Sequence, residues 1–368
     1  MKKLWDLAKG DVVLCASFVL AVLSCFLTPP GPEYLSYIDF DTLILLFCLM
    51  LIMEGLREQK VFLALGNGML SRVSTRRGVT FTLVFLCFLC SMLITNDVAL
   101  ITFVPFGIMI LEMADLHGKL CRTVTLMTIA ANLGSMFTPV GNPQNLYLYS
   151  LSGMTLPQFL LLMLPYTVAA AVLLFIIIWF GAGRENLTVK PQTVQLGDRG
   201  TILWYLLLFV CCLLTVAGVL PHILLLILTV AGICWKNPAS FVRVDYSLLF
   251  TFTFFFIFVG NIRQVEQLQL LIGGLLEGHE RLISVAVSQI ISNVPAAMLL
   301  SGYTDQVREL IVGTNLGGLG TLIASMASLI SYRQVCGAYP AVKKRYLAVF
   351  TGWNLLFLAV LCLVWSFL

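Results

Sequence analysis

The chain has 368 residues, of which 60% are hydrophobic and 11% charged, with a formal net charge of +4 and a mean hydropathy of +0.98. A soluble globule of this size needs a polar skin that this composition does not supply, so the expected solvent is a lipid bilayer. The same figures exclude a nucleic-acid binder with its clustered basic patches, a disordered chain and a secreted disulfide scaffold, because the 11 cysteines sit mostly inside apolar runs such as Leu86-Cys87-Phe88-Leu89-Cys90, as buried free thiols.

Lys2 and Lys3 precede an apolar run from Val12 to Leu27, and Val22-Leu23-Ser24-Cys25 loosely resembles a lipoprotein cleavage site. No soluble domain that export would serve follows, and we read the run as a retained first transmembrane helix. Full-length spans are expected over 12–28, 41–57, 156–182, 201–217, 219–235, 245–261 and 346–367. Four further apolar stretches are interrupted. Thr95-Asn96-Asp97 splits 78–94 from 98–113, and residues 136–143 (Met-Phe-Thr-Pro-Val-Gly-Asn-Pro) split 121–135 from 144–151. Later, Ser292-Asn293-Val294 splits 281–291 from 295–302, and Gly317-Gly318-Leu319-Gly320-Thr321 splits 306–316 from 322–332. Breaks of this kind expose backbone N–H and C=O groups at membrane depth, where they must bind something. Residues 58–77 and 263–280 mix charged and apolar side chains and suit amphipathic helices in the membrane plane.

With the amino terminus in the cytoplasm and the segments around 95–97 and 292–294 treated as returning hairpins, 19 basic residues fall inside and three (Arg263, Arg281, Arg308) outside, as the positive-inside rule requires. The carboxyl terminus is then outside. The arms of the second hairpin, 281–291 and 295–302, are too short to span, which favours re-entry there.

The chain also matches itself. Asp39-Phe40 corresponds to Asp245-Tyr246 at an offset of 206, Ile94-Thr95-Asn96 to Ile291-Ser292-Asn293 at 197, and Asn132-Leu133-Gly134 with Thr138 to Asn315-Leu316-Gly317 with Thr321 at 183. The order is the same in both halves: span, interfacial helix, hairpin with an Asn tip, broken helix. Asp39 is expected outside and Asp245 inside, so the two units have opposite topology. The fold class is therefore an all-α polytopic membrane protein with two inverted-topology repeats. Its parts are a first scaffold helix (1–34), repeat 1 (35–185), a cytoplasmic linker (186–200) and repeat 2 (201–368). A helix broken at mid-membrane offers N–H groups and a positive dipole end to an anion, and carbonyls to Na⁺.

Thr-Asn-Asp-Val-Ala-Leu (95–100), Ala-Asn-Leu-Gly-Ser-Met-Phe-Thr-Pro-Val-Gly-Asn-Pro-Gln-Asn-Leu (131–146), Ser-Asn-Val-Pro-Ala-Ala (292–297) and Gly-Thr-Asn-Leu-Gly-Gly-Leu-Gly-Thr-Leu-Ile-Ala-Ser (313–325) together resemble the ion-transporter superfamily. That group holds citrate-type transporters, divalent-anion/sodium symporters, arsenite efflux permeases and a class of Na⁺/H⁺ antiporters, and this chain is most similar to its small YbiR-type permeases. The resemblance extends from about residue 35 through nearly the whole chain. It implies an elevator-type transporter whose two hairpins each face a broken helix. It implies substrate- and ion-binding roles for Thr95, Asn96, Asp97, Asn132, Thr138, Pro139, Gly141 and Asn142, and for Ser292, Asn293, Val294, Pro295, Thr314, Asn315, Gly317, Gly318, Gly320 and Thr321, with Na⁺ held at Asn96, Asp97 and Asn293. Where the symporters carry Ser-Asn-Thr, this chain has Asp97 and Val294 at the third positions. Both changes remove hydroxyl donors, and a carboxylate at the tip is more at home in the arsenite and antiporter branches.

Structural roles compete with each of these. Asn96 and Asn293 suit helix caps; Asn142, Gln144 and Asn145 suit the satisfaction of freed backbone groups; Gly317, Gly318 and Gly320 suit close helix packing. Glu54 and Glu112 lie near span ends, where they snorkel, and His117, His222 and His279 are isolated. The expected function is cation-coupled secondary transport of a small inorganic or carboxylate anion, using Na⁺ or H⁺ as coupling ion and no other cofactor, in the cytoplasmic membrane. Arsenite efflux or Na⁺/H⁺ antiport is the alternative. The lipid bilayer is a partner, nucleic acid is not, and a homodimer is admitted. An intramembrane enzyme is disfavoured by the lack of a Gly-x-Ser-x-Gly or His-Glu-x-x-His pattern. Asp97 either carries the coupling or caps a helix in a wet crevice.

Overall fold

The computed structural model describes residues 12–186 and 194–366. The basic residues Lys2, Lys3, Lys9 and Lys190 of the charge pattern lie outside them. Among the described residues the secondary structure is helical, with one isolated antiparallel bridge, Thr75 to Asn186, and no strands.

After α1 (Val12–Ser24) comes a first series: α2 (Phe40–Glu58), α3 (Val61–Leu70), α4 (Arg76–Cys90), α5 (Asn96–Met113), α6 (Leu120–Ser135), α7 (Pro143–Ser152) and α8 (Leu156–Gly181). Two connecting helices follow, α9 (Arg199–Val216) and α10 (His222–Lys236). A second series then runs in the same order: α11 (Tyr246–Arg263), α12 (Glu266–Leu276), α13 (Glu280–Ile291), α14 (Asn293–Leu300), α15 (Val307–Gly317), α16 (Met326–Ala338) and α17 (Lys343–Ser366). Five described segments are long and apolar enough to cross a membrane: α5, α8, α9, α11 and the stretch Pro340–Ser366 that holds α17. The protein is a multi-pass membrane protein.

A helix forms over each of the seven expected spans with shifted ends, but only α8, α9, α11 and α17 among them fall in segments long and apolar enough to cross; α1 and α10, expected as full spans, have 13 and 15 residues, and α2 is not among the crossing segments. The first helix stops at Ser24 rather than 28, where the Ser24 hydroxyl bonds the Ala21 carbonyl (2.7 Å) and Pro29-Pro30 lie just beyond. The first hairpin turns over 91–95, so Asn96 and Asp97 already belong to α5; in the second, Ser292 alone separates α13 from α14. The expected helices within 58–77 and 263–280 are α3 and α12. Glu54 does not simply snorkel: it pairs with Arg57 at 2.8 Å and reaches Arg243 at 3.9 Å. Glu112 accepts a hydrogen bond from the Tyr339 hydroxyl, and His222 lies 3.3 Å from Asp41.

The broken helices form the centre. α6 buries every residue except Arg122, and α15 is buried from Leu310 to Gly317. Each packs on the first arm of its own hairpin, α6 on α4 and α15 on α13, while the second half of each broken helix reaches the other series, α16 against α5 and α7 against α14. α1 packs along α11, and α9 and α10 along α2. Glycine permits a close approach at equivalent places in both series. A Cβ at Gly134 would overlap the Phe88 carbonyl and sit 2.5 Å from Ser91 Oγ; one at Gly317 would sit 2.6 Å from Ser288 Oγ. Ser91 and Ser288 are themselves equivalent at the hairpin offset of 197.

Candidate functional site

The first break is made by prolines. Thr138 and Asn142, each preceding one, are extended (φ −122° and −142°), as the residue before proline prefers, and Pro143 opens α7 where a missing N–H costs nothing. The second break contains glycines instead, with Gly320 at φ 108°. At its end Ser325 (φ −142°, ψ 131°) takes the same backbone conformation as its counterpart Asn142.

A buried polar cluster joins the two series. Asn96 Nδ2, on the first hairpin, donates to Asn132 Oδ1 (3.0 Å). The same oxygen accepts from Ser325 Oγ (3.1 Å), and Asn132 Nδ2 donates to Ser328 Oγ (3.2 Å). From the other side Asn315 Nδ2 donates to Asn145 Oδ1 (2.6 Å). At the offset of 183 that relates Asn132 to Asn315, Asn145 falls on Ser328, so these are equivalent bonds crossing in opposite directions. The second tip joins through its backbone: Asn293 N–H donates to the Ala324 carbonyl (3.0 Å), next to Ser325.

Each hairpin is also tied to its own break. Thr138 Oγ1 donates to the Met92 carbonyl (2.5 Å), and Thr321 Oγ1 to the Gln289 carbonyl (3.1 Å). Met92 and Gln289 are equivalent at the offset of 197. The carbonyls freed by the breaks are largely taken up internally. Asn145 Nδ2 lies 3.3 Å from the Ser135 and Thr138 oxygens and 3.5 Å from that of Met136; Gln289 Nε2 donates to Gly317 and Leu319 at 2.9 Å each. Asn142 Nδ2 donates to Ser135 Oγ (2.7 Å). Three buried polar atoms here have no partner among the described residues: Asn142 Oδ1, Asn315 Oδ1 and Gln144 Nε2. Unpartnered buried groups are uncommon in folded proteins.

The structure brings together Asn96, Asn132, Asn142, Asn293 and Asn315 as buried residues along this network. Neither tip asparagine caps its helix: Thr95 and Ser292 occupy the N-cap positions, without side-chain caps, and Asn96 Oδ1 accepts only the adjacent Asp97 N–H at 2.9 Å. Asp97 is half-buried in the first turn of α5. Its carboxylate has no hydrogen bond or ion pair among the described residues, and Asp245, the N-cap of α11, is close enough to repel it. Other expected site residues lie apart. Thr321 is exposed, Thr314 bonds back to Leu310 within its own helix (2.7 Å), and Val294 and Pro295 border a small cavity beside Asp245 and Leu248. Pro139 and Gly141 shape the turn of the first break, and Gly318 lies against the Asn293 amide. Ser325 only closes the 313–325 motif and is not among the expected site residues, and Ser328 and Gln289 lie outside the quoted motifs. The 183-residue offset points to the two serines as counterparts of Asn142 and Asn145; nothing local marks Gln289.

The family model described as citrate transporter, CitMHS, matches residues 4–308. The inner membrane protein YbiR of Escherichia coli is 30% identical over 331 residues, covering 88% of this chain and 88% of that protein. An uncharacterized transporter of Methanocaldococcus jannaschii is 33% identical over 332 residues, 88% of this chain and 90% of its own length. A silicon efflux transporter of Oryza sativa is 32% identical over 133 residues, 36% of this chain and 27% of its own. These relatives are transporters and membrane proteins rather than enzymes, and the chain belongs to the citrate transporter (CitMHS) family of membrane transporters.

Proposed function

We propose that the protein is a secondary transporter that carries a small anion across the cytoplasmic membrane, coupled to Na⁺ or H⁺, by alternating access of two inverted repeats. The carrying observation is the cluster in which Asn132 connects the first tip to Ser325 and Ser328 of the second broken helix. Its amide and hydroxyl groups are neutral, and no Lys or Arg takes part. An anion buried among neutral dipoles has a desolvation cost that an accompanying cation or proton lowers, and the composition of the cluster supports a coupled cation in this reading. Amide donors suit the anion's oxygens, while the unpartnered oxygens of Asn142 and Asn315 suit Na⁺, a hard cation that takes oxygen ligands. Asp97 is the coupling residue in this reading, because an intramembrane carboxylate without a partner must bind a cation or a proton.

A second reading is efflux of an uncharged hydroxylated oxide such as arsenite, or Na⁺/H⁺ antiport. The unpartnered Asp97 favours it, since a fixed carboxylate repels anions, and so does the likeness to a silicon efflux transporter. Proteoliposome flux of citrate, succinate, sulfate and arsenite under imposed Na⁺ and pH gradients separates the two. Accumulation of an ionised substrate driven by a cation gradient is expected; transport of arsenite alone overturns the anion reading. Asn132→Ala is expected to lower flux at least tenfold with membrane insertion intact, because it strands Asn96, Ser325 and Ser328 together. Asp97→Asn is expected to abolish gradient-driven accumulation; unchanged ion dependence in that variant removes Asp97 from coupling.

A further inference from the structure

Two cavities lie at opposite ends of α2. One, of about 520 Å³, is bordered by Asp39, Arg263, Gln269, Met298 and Gly302. The other, of about 410 Å³, is bordered by Arg57, Leu63, Ile101 and Pro105. The offset of 206 carries Arg57 to Arg263 and Leu63 to Gln269, and the offset of 197 carries Ile101 to Met298 and Pro105 to Gly302. They are one cavity built twice, each between the end of a long helix, the short helix after it and the second arm of a hairpin.

Their chemistry differs at one decisive pair. Arg57 is neutralised by Glu54 at 2.8 Å. The position equivalent to Glu54 is Gly260, against which the Tyr37 ring packs directly. Arg263 is exposed and makes no ion pair among the described residues. The remaining walls of the Arg57 cavity are mainly apolar, whereas Gln264 and Gln269 add amides beside Arg263. Asp39 is the opposing charge, and its oxygens are already engaged: Oδ1 accepts from Thr42 N–H (3.0 Å), and Oδ2 from Thr42 Oγ1 (2.5 Å) and Ser150 Oγ (3.0 Å). The guanidinium donors are uncommitted. Tyr147, at the inner wall, is hydrogen-bonded to Ser301 at 2.8 Å and lies two residues from Asn145 of the buried cluster.

We propose that the Arg263 cavity is a capture site for a small carboxylate or inorganic oxyanion on its way to the central cluster. This rests on the anion reading above. A free guanidinium binds carboxylates and oxyanions through paired N–H donors. Asp39 keeps the binding weak, which suits a site that must release its ligand inward. The Arg57 cavity, with its arginine already paired, does not capture anions, so the two faces differ in affinity.

The first test does not require transport. Phenylglyoxal modification of the detergent-solubilised protein is followed at each arginine by mass spectrometry. Citrate or sulfate, against chloride at matched ionic strength, is expected to slow modification of Arg263 several-fold and leave exposed Arg308 unchanged; equal rates at Arg263 with and without these anions overturn the site. The second test uses proteoliposomes. Arg263→Gln is expected to raise KM about tenfold, the effect of one charge-assisted contact, with the saturated rate unchanged and with partial rescue by Arg263→Lys. An unaltered KM in Arg263→Gln overturns the capture role while leaving the transporter reading standing. Protection of Arg263 without any anion flux supports the site and overturns the anion-transport reading instead.

Discussion

The two hairpin-and-break units share a skeleton and diverge in what they present to cavities. Positions that fix the backbone correspond closely: Gly134 and Gly317 lie against Ser91 and Ser288, and Thr138 and Thr321 tie the breaks to the carbonyls of Met92 and Gln289. Positions at or beside the cavity of the second unit do not. Glu54 beside Arg57 becomes Gly260 beside Arg263, and the Tyr147–Ser301 hydrogen bond falls on the apolar residues Ile330 and Val104. The hairpin arms also differ in length. α13 and α14 have 12 and eight residues, about 18 and 12 Å at about 1.5 Å per residue, against about 30 Å of hydrocarbon. α5 alone has 18 residues and is long enough to cross. Close packing allows few solutions, so it preserves likeness between the units; a cavity wall carries no such constraint and is free to acquire a separate chemistry.

The largest expected effect breaks the shared skeleton. Gly134→Ala forces a methyl into a backbone carbonyl, whereas Gly317→Ala meets first a serine side chain. We expect Gly134→Ala to cost about 3 kcal/mol and Gly317→Ala less, in line with overpacking of a dense core. Relief of the Gly317→Ala defect by Ser288→Gly completes the comparison. Thermal unfolding in detergent measures both, and a Gly134→Ala protein as stable as the parent would refute the close approach.

A smaller effect sharpens the contrast between the tips. Thr95 has φ −62° and ψ 147°, while its counterpart Ser292 has φ 76° and ψ 155°, a region used almost only by glycine. Ser292→Gly is expected to stabilise the protein by about 1 kcal/mol through relief of that strain. Thr95→Gly is expected to destabilise it by about 1 kcal/mol, because it only adds freedom to the unfolded chain. Opposite signs in the two melting shifts are the expected result; a loss of stability in Ser292→Gly means that the second tip is not strained.

The smallest effect concerns the bond present in one unit alone. Tyr147→Phe removes the hydrogen bond to Ser301, whose hydroxyl keeps the Met298 carbonyl at 2.9 Å and is not stranded. A loss of about 1 kcal/mol or less is expected. Faster thiol labelling of a cysteine placed at Met298, which borders the same cavity, in the Tyr147→Phe background relative to the same cysteine alone checks that the bond holds the cavity wall closed. Equal labelling rates would show that it does not.

By itself the sequence determined the membrane setting, the order of helices and the places where they break. Those features rest on local rules: a long apolar run, prolines at 139 and 143, glycines after 316, and Asp39 and Asp245 capping the helices they precede. The internal match at three offsets also identified Asn96, Asn132, Asn293 and Asn315, because each sits at the same step of a recurring pattern. Partners were decided only by the tertiary structure. Ser325 and Ser328 lie 193 and 196 residues from Asn132, Asn145 lies 170 from Asn315, and no local pattern specifies which buried amide meets which hydroxyl. The exclusion of Thr321 from the buried cluster, the taking up of the Gly317 and Leu319 carbonyls by Gln289, and the contrast between a paired Arg57 and an unpaired Arg263 depend likewise on side chains that chain distance separates and packing brings together.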